Sequence, residues 1–220
     1  MRLLRHWGLQ PSSRVLEIGC GVGRLAYELA SFLDADGSYS GFDVSPKAIA
    51  WCNEHYAPRL PNFRFELVDV RNVRYRPASD AAAASLEFPY ADRQFDVVGA
   101  FAVFMHMQLP EIGNYLGEIG RVLKPDGFAV ATFRAIATGE QPPRTRDREW
   151  VAVGDGVYPI FPETPGRALA YDDELVRATI EGAGLQIAAA IRGKWHGRPP
   201  AGDEPVLGAD AYVVKRRAAA

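Results

Sequence analysis

The sequence predicts an α/β fold, an open, doubly wound and mostly parallel sheet with helices packed against it. Three observations point there. Short apolar runs alternate with stretches whose apolar residues recur at helical spacing, the pattern of successive βαβ units. The first run leads straight into three glycines, Gly19, Gly21 and Gly23, and then into a helical stripe. The next two runs each end on an acid, Asp43 and Asp69, at strand tips, where sheets of this kind hold their ligands.

The elements follow in order. Residues 15–18 form the first strand, and Val22, Leu25, Ala26, Leu29, Ala30 and Leu33 mark one face of the helix after it. Residues 38–42 give the second strand, after which Ser45 as N-cap and Pro46 in the first turn open a helix running to Tyr56. The third strand covers 63–68 and the fourth 95–100, joined by a looser connection that includes the alanine run 81–84. Ile112, Tyr115, Leu116, Ile119, Val122 and Leu123 make the next helical stripe. The KPDG tetrapeptide at 124–127 is expected to end it in a turn, ahead of a fifth strand at 128–133.

From 135 to 170 the periodicity lapses into proline-rich sequence of mixed charge, too long for an ordinary connection. This stretch is expected to be an inserted lid or pocket wall within a single domain spanning 1–220. Asp172 then caps a helix carrying Leu175, Val176, Thr179 and Ile180, closed by Gly182 and Gly184, and strands at 185–191 and 211–215 complete the sheet.

Composition narrows the function. Lys plus Arg number 25 against 27 Asp plus Glu, a net charge of −2, so the chain is not built to neutralise the phosphates of duplex nucleic acid. Cys20 and Cys52 are too few and too far apart for a metal site or a disulfide framework, and no metal is expected. The longest apolar run, 97–105, is too short to cross a bilayer, and the N-terminal stretch lacks the core of a signal peptide. A cytoplasmic monomer or homodimer, off the membrane, is the expectation.

The glycine loop and the two acids describe a ligand. Asp43 lies at the second strand's tip, where a carboxylate accepts hydrogen bonds from both hydroxyls of a ribose. Asp69 and the backbone at Val70 are placed to meet an adenine edge, so the ligand is an adenosine. A dinucleotide such as NAD is the rival, but its G-x-G-x-x-G fingerprint needs a third glycine where this chain has Arg24. Glu17, two residues before the loop, also suits a ligand of positive character better than a pyrophosphate.

At this point "VLEIGCGVGR", "GFDVSP", "ELVDV", "FPYADRQFDVVGAFAVFMHM" and "YLGEIGRVLKPDGFAVATF", taken in order, resemble the class I S-adenosylmethionine-dependent methyltransferases over residues 14–134. Beyond Arg134 the resemblance is topological only. It implies a Rossmann-like sheet of seven strands, the last antiparallel, with S-adenosylmethionine as cofactor and S-adenosylhomocysteine as product. Carried over by position, Gly19, Gly21 and Gly23 would pack on the methionyl and ribose part, with Glu17 near its amino group and Arg24 near its carboxylate. Asp43, with Val44 beside it, would hold the ribose, Asp69 and Val70 the adenine, and Ala100 and Phe101 the methionyl end. The segments "RNVRYRP" and "VFMHM" with the following helix look most like a bacterial subgroup linked with small-molecule or glycan methylation.

The acceptor half is less legible. Oxygen acceptors usually need a base, and histidine suits that role. His106, after the fourth strand, is a candidate base or a brace for its loop, and His196, in "GKWHGR", a candidate base or a solvated loop residue. His6 and His55 read as surface residues. Trp150 and Trp195 either wall the acceptor pocket or belong to the core, and Arg144, Arg146 and Arg148 either bind an anionic acceptor or cancel against Asp147 and Glu149. The Asn/Asp-Pro-Pro-aromatic motif of amino-group methylases and the Pro-Cys nucleophile of pyrimidine C5 enzymes are both missing. The expected activity is therefore methyl transfer to an oxygen, or second a nitrogen, of a small molecule or saccharide. An NAD-linked oxidoreductase and a non-catalytic cofactor-binding protein of the same fold are the alternatives.

Overall fold

The computed structural model describes every residue except 73–75, 77–78, 144–148, 155, 165–166, 197–206 and 218–220. Its chain runs α1 (Arg2–His6), β1 (Arg14–Ile18), α2 (Arg24–Ala30), β2 (Ser38–Asp43), α3 (Pro46–His55), β3 (Phe63–Leu67), β4 (Phe95–Ala100), α4 (Leu109–Val122) and β5 (Leu123–Phe133). It continues through β6 (Ala135–Ile136), β7 (Val157–Pro159), β8 (Leu169–Asp172), α5 (Asp173–Gly182), β9 (Leu185–Ile191) and β10 (Asp210–Arg216). Seven strands join in the order β3-β2-β1-β4-β5-β10-β9, and β10 runs antiparallel to both neighbours. The strand order reverses where β1 lies between β2 and β4, with Ile18 opposite both Phe42 and Ala100. A crevice at the carboxyl ends is expected there.

Alternation along the strands builds two cores. Leu16, Ile18, Phe42, Val98, Ala100, Ala131 and Phe133 face one side, against Ile112, Leu116 and Ile119 of α4 and Val176 and Ile180 of α5. Val15, Tyr39, Val97, Phe128 and Val130 face the other, against Leu3 and Leu4 of α1, Ala26 and Leu29 of α2, and Ile49 and Cys52 of α3. The strands are apolar on both faces because helices cover both. No helix among the described residues is long and apolar enough to cross a membrane.

The structure corrects two expectations. Residues 124–127 do not leave the sheet as a turn. They lie within β5 as a bulge, for Phe95 pairs with Leu123 but Val97 with Phe128. Lys124 reaches back to Asp96 at 2.7 Å, and a Cβ on Gly127 would sit 2.8 Å from the Asp96 carbonyl, so only glycine lets the bulge lie against β4. Beyond residue 134, β6, β8 and β7 form a separate three-stranded sheet. Asp172 does stand at the N-cap of α5, but its carboxylate accepts from the Tyr158 hydroxyl at 2.9 Å rather than from the helix.

Candidate active site

A cavity of about 1060 Å³ opens at the carboxyl ends of β1, β2 and β4, where the strand order reverses. Gly21 lines it with φ of +53°, and a Cβ there would meet nothing within 4 Å. Its bare backbone therefore faces open space. Gly23 is glycine for a different reason: it starts α2 at φ +74°, and a Cβ would lie 2.7 Å from the Tyr56 ring, whose hydroxyl donates to the Gly23 carbonyl at 3.1 Å. Gly19 lines the cavity with Val103 packed against it.

Asp43 ties the loop to α3. One carboxylate oxygen accepts the Gly21 N–H and the other the Ser45 N–H, both at 2.8 Å, and each oxygen keeps a second lone pair for a ligand hydroxyl. Val44, Val70, Arg24 and Phe101 line the same cavity. Ala100, fully buried, stands behind it, and Gly23 is not part of its lining.

Two acids leave the expected arrangement. Asp69 does not line the cavity. Strand β3 ends at Leu67, and the Asn72–Arg76 bridge folds Arg76 back onto the exposed Asp69 carboxylate at 2.6 Å, an ion pair that holds it below the usual carboxylate range. Glu17 lies buried outside the lining and accepts from the Tyr39 hydroxyl at 2.5 Å. Burial raises its pKa from an ordinary 4.5 to about 8, against the lowering effects of Tyr39 and Arg24. At neutral pH it is chiefly a neutral acid.

Past β4 the chain turns sharply. Ala102 adopts φ +58°, a conformation that costs a residue with a Cβ. The buried Thr132 hydroxyl holds it there, accepting the Ala102 N–H at 2.8 Å and donating to the Ala100 carbonyl at 3.3 Å. The turn carries Phe101, Ala102, Val103 and His106 into the cavity wall. His106 braces its loop, its Nδ1 donating to the Arg167 carbonyl at 2.7 Å, and its ring lines the cavity. In the neutral ring that bond places the basic lone pair on Nε2.

The structure does not bring His196, Trp195 or Trp150 to this cavity. The buried Asp210 carboxylate gathers the first two, accepting from Trp195 Nε1 at 2.5 Å and His196 Nε2 at 3.0 Å, and also from the Gly193 and Ala135 backbone. His196 faces instead a second, smaller cavity of about 210 Å³ between β9, β10 and α5. Trp150 donates to the Pro143 carbonyl at 3.1 Å and meets Trp195 edge to face at 6.1 Å. Arg144, Arg146 and Arg148 lie outside the described residues.

Sequence reasoning missed Thr132 and the wall formed by Lys47, Trp51, Met107, Gln108, Glu111 and Tyr115. Thr132 left a faint signal as the lone hydroxyl in "FAVATF". Glu111 left one as the N3 acid of α4, where it accepts the Gln108 N–H at 2.6 Å.

The cavity fits S-adenosylmethionine: glycine backbone opens onto it, Asp43 offers its remaining lone pairs, and Val44, Val70 and Phe101 supply apolar walls. This sheet order, with that cavity at its switch point, is the arrangement of the class I S-adenosylmethionine-dependent methyltransferase fold. Residues 15–127 match the family described as a methyltransferase domain, and the chain belongs to that family. It is 29% identical over 159 residues to a sterol 24-C-methyltransferase of Schizosaccharomyces pombe, an alignment covering 70% of this chain and 37% of that one. It is likewise 29% identical over 162 residues to the 27-O-demethylrifamycin SV methyltransferase of Amycolatopsis mediterranei, covering 72% and 52%. The chain thus spans about a third to a half of these relatives' length. A solved S-adenosylmethionine-dependent methyltransferase from Methanosarcina mazei shares the fold with a TM-score of 0.65 at 19% identity, covering 98% of this chain and 97% of that one.

Proposed function

We propose that this chain transfers the methyl group of S-adenosylmethionine to an oxygen of a small molecule or saccharide, with a nitrogen as second choice. His106 carries the reading, as a tautomer-fixed imidazole in the same cavity as Gly21 and Asp43. S-adenosylmethionine, when bound, supplies a methyl group on a sulfonium, open to in-line displacement. Asp43 and the glycine backbone would fix the cofactor, Phe101 and Val103 would exclude water, and Nε2 of His106 would take the proton of the acceptor hydroxyl. The cavity, at about 1060 Å³, lies at the upper end of the range of about 300–1,000 Å³ in which single small-molecule sites fall. The relatives named above methylate at carbon and at oxygen by their names, so the choice of oxygen rests on His106.

Calorimetric titration of S-adenosylhomocysteine tests the cofactor half, with NAD as control ligand. Micromolar affinity, about −8 kcal/mol, is expected for the wild type and loss of at least roughly tenfold for Asp43→Ala. Tighter binding of NAD would select an oxidoreductase. A screen of hydroxyl acceptors with labelled S-adenosylmethionine then tests the base. His106→Gln should slow transfer by about 10²–10⁴-fold with unchanged cofactor affinity, whereas equal rates would strip His106 of that role, and cofactor binding without any transfer would favour a non-catalytic protein.

A further inference from the structure

We propose that Arg134 binds an anionic group of the acceptor, a carboxylate or a phosphate, which makes the acceptor a small anionic molecule. The inference rests on the methyltransferase reading of the main cavity. Arg134 directly follows β5 and is half-buried, yet among the described residues no carboxylate acts on its guanidinium and no hydrogen bond engages it. Among the described residues, other partly buried arginines have hydrogen-bonding partners: Arg121 pairs with Glu118 and Asp92, Arg177 with Asp173, and Arg216 donates to the Gly120 carbonyl. Burial presses the Arg134 pKa below the usual guanidinium range, with Tyr171 opposing it weakly. A desolvated charge without a counter-ion is costly to fold around, and a ligand anion would remove that cost.

The surroundings are shaped for such a ligand. The guanidinium carbon lies 5.4 Å from the centroid of the Trp150 ring, and Trp150 is itself held by the Pro143 carbonyl and the edge of Trp195. A cation–π contact at this distance uses none of the guanidinium N–H donors, so they remain available to a carboxylate or phosphate, which a guanidinium can take through two parallel bonds.

The position suits the acceptor as well. Residues two apart on a strand share a face, and Thr132, two before Arg134, already touches the cavity-lining turn at Ala102. Arg134 follows two positions on, just past the end of β5 at Phe133 and outside the lining of the main cavity, so an acceptor would reach it from beyond the cavity wall. Its charge also reaches Tyr171, whose hydroxyl donates to the Phe104 and Met107 carbonyls on either side of His106. The anion would anchor at Arg134 while the reacting oxygen lies at His106.

The test titrates benzoate, its neutral isostere benzamide, and inorganic phosphate into the protein, with and without S-adenosylhomocysteine, and follows tryptophan fluorescence. Saturable binding of benzoate or phosphate but not benzamide is expected, and the anion that saturates identifies the class. Arg134→Met should weaken that binding about tenfold or more, the scale of a charge-assisted bond, and Arg134→Lys should retain part of it. S-adenosylhomocysteine affinity should not move in either variant. The melting temperature of Arg134→Met should hold or rise, since methionine removes an uncompensated charge. A clear fall would make Arg134 structural and overturn the proposal, as would equal anion affinity in Arg134→Met or the absence of saturable anion binding in the wild type. Failure of S-adenosylhomocysteine to bind would instead overturn the methyltransferase reading, and the titrations without it would still judge the anion site.

Discussion

Glu17 shows how one side chain couples the glycine loop to pH. The folded chain holds its proton up to about pH 8, while the unfolded chain releases it near the ordinary value of about 4.5. Between those limits the unfolded state has fewer bound protons, so Glu17 costs the fold progressively more as pH rises, by several kcal/mol at most. Below pH 4.5 both states are protonated and the cost vanishes; above 8 both are ionised and it levels off. Glu17→Gln keeps an acceptor for the Tyr39 hydroxyl and has nothing to titrate. Urea unfolding at pH 5, 6.5 and 8 should therefore show the variant gaining stability over the wild type step by step. Parallel curves for the two proteins would mean that burial does not shift this acid.

Among the elements, the glycine loop and α3 act as one unit, because Asp43 bonds both and Tyr56 packs under Gly23. Glycine substitutions should accordingly separate. Gly23→Ala drives a methyl into the Tyr56 ring at a strained φ, and should lower stability by about 2 kcal/mol or more. Gly21→Ala has space in the folded chain and pays about 1 kcal/mol for its φ, but its methyl enters the cavity and should weaken S-adenosylhomocysteine binding more than Gly23→Ala does per unit of stability lost. Denaturation and calorimetry on the same two variants decide this, and an opposite ranking would place the ligand elsewhere. These elements were legible because their signals are local: Ser45 and Pro46 announce α3, and Gly19 to Gly23 announce a loop before a helix. Where partners lie far along the chain the signal failed. KPDG reads as a turn until Asp96, on a different strand, holds it as a bulge. Asp69 reads as a strand-tip acid although Arg76, only seven residues on, folds back to claim it through a bridge that no period announces. The strands of the small sheet, two to four residues each, are too short to show any period.

At the scale of the whole molecule, the two sheets meet at the segment that carries His106. The hydroxyl of Tyr171 in β8 donates to the Phe104 and Met107 carbonyls, the Tyr171 backbone N–H bonds the Arg134 carbonyl, and His106 itself bonds the Arg167 carbonyl. The cofactor side of the cavity depends on a separate set: Gly21, Asp43 and Val44 are fixed by β1, β2 and α3. Cofactor binding and the join between the sheets should thus contribute to stability independently. S-adenosylhomocysteine at about 100 times its Kd should stabilise the fold by about 2.7 kcal/mol, a rise in Tm of roughly 5–10 °C for a chain of this length. Tyr171→Phe removes the hydroxyl that donates to both carbonyls of the join, of which that of Phe104 keeps the Met107 N–H, and should lower the Tm of the free protein by several degrees, corresponding to about 1–3 kcal/mol. The ligand-induced rise should survive in that variant undiminished. If it shrinks instead, the cofactor site extends its support through the turn at Ala102 to His106 and the small sheet, and the two halves of the cavity form one cooperative unit.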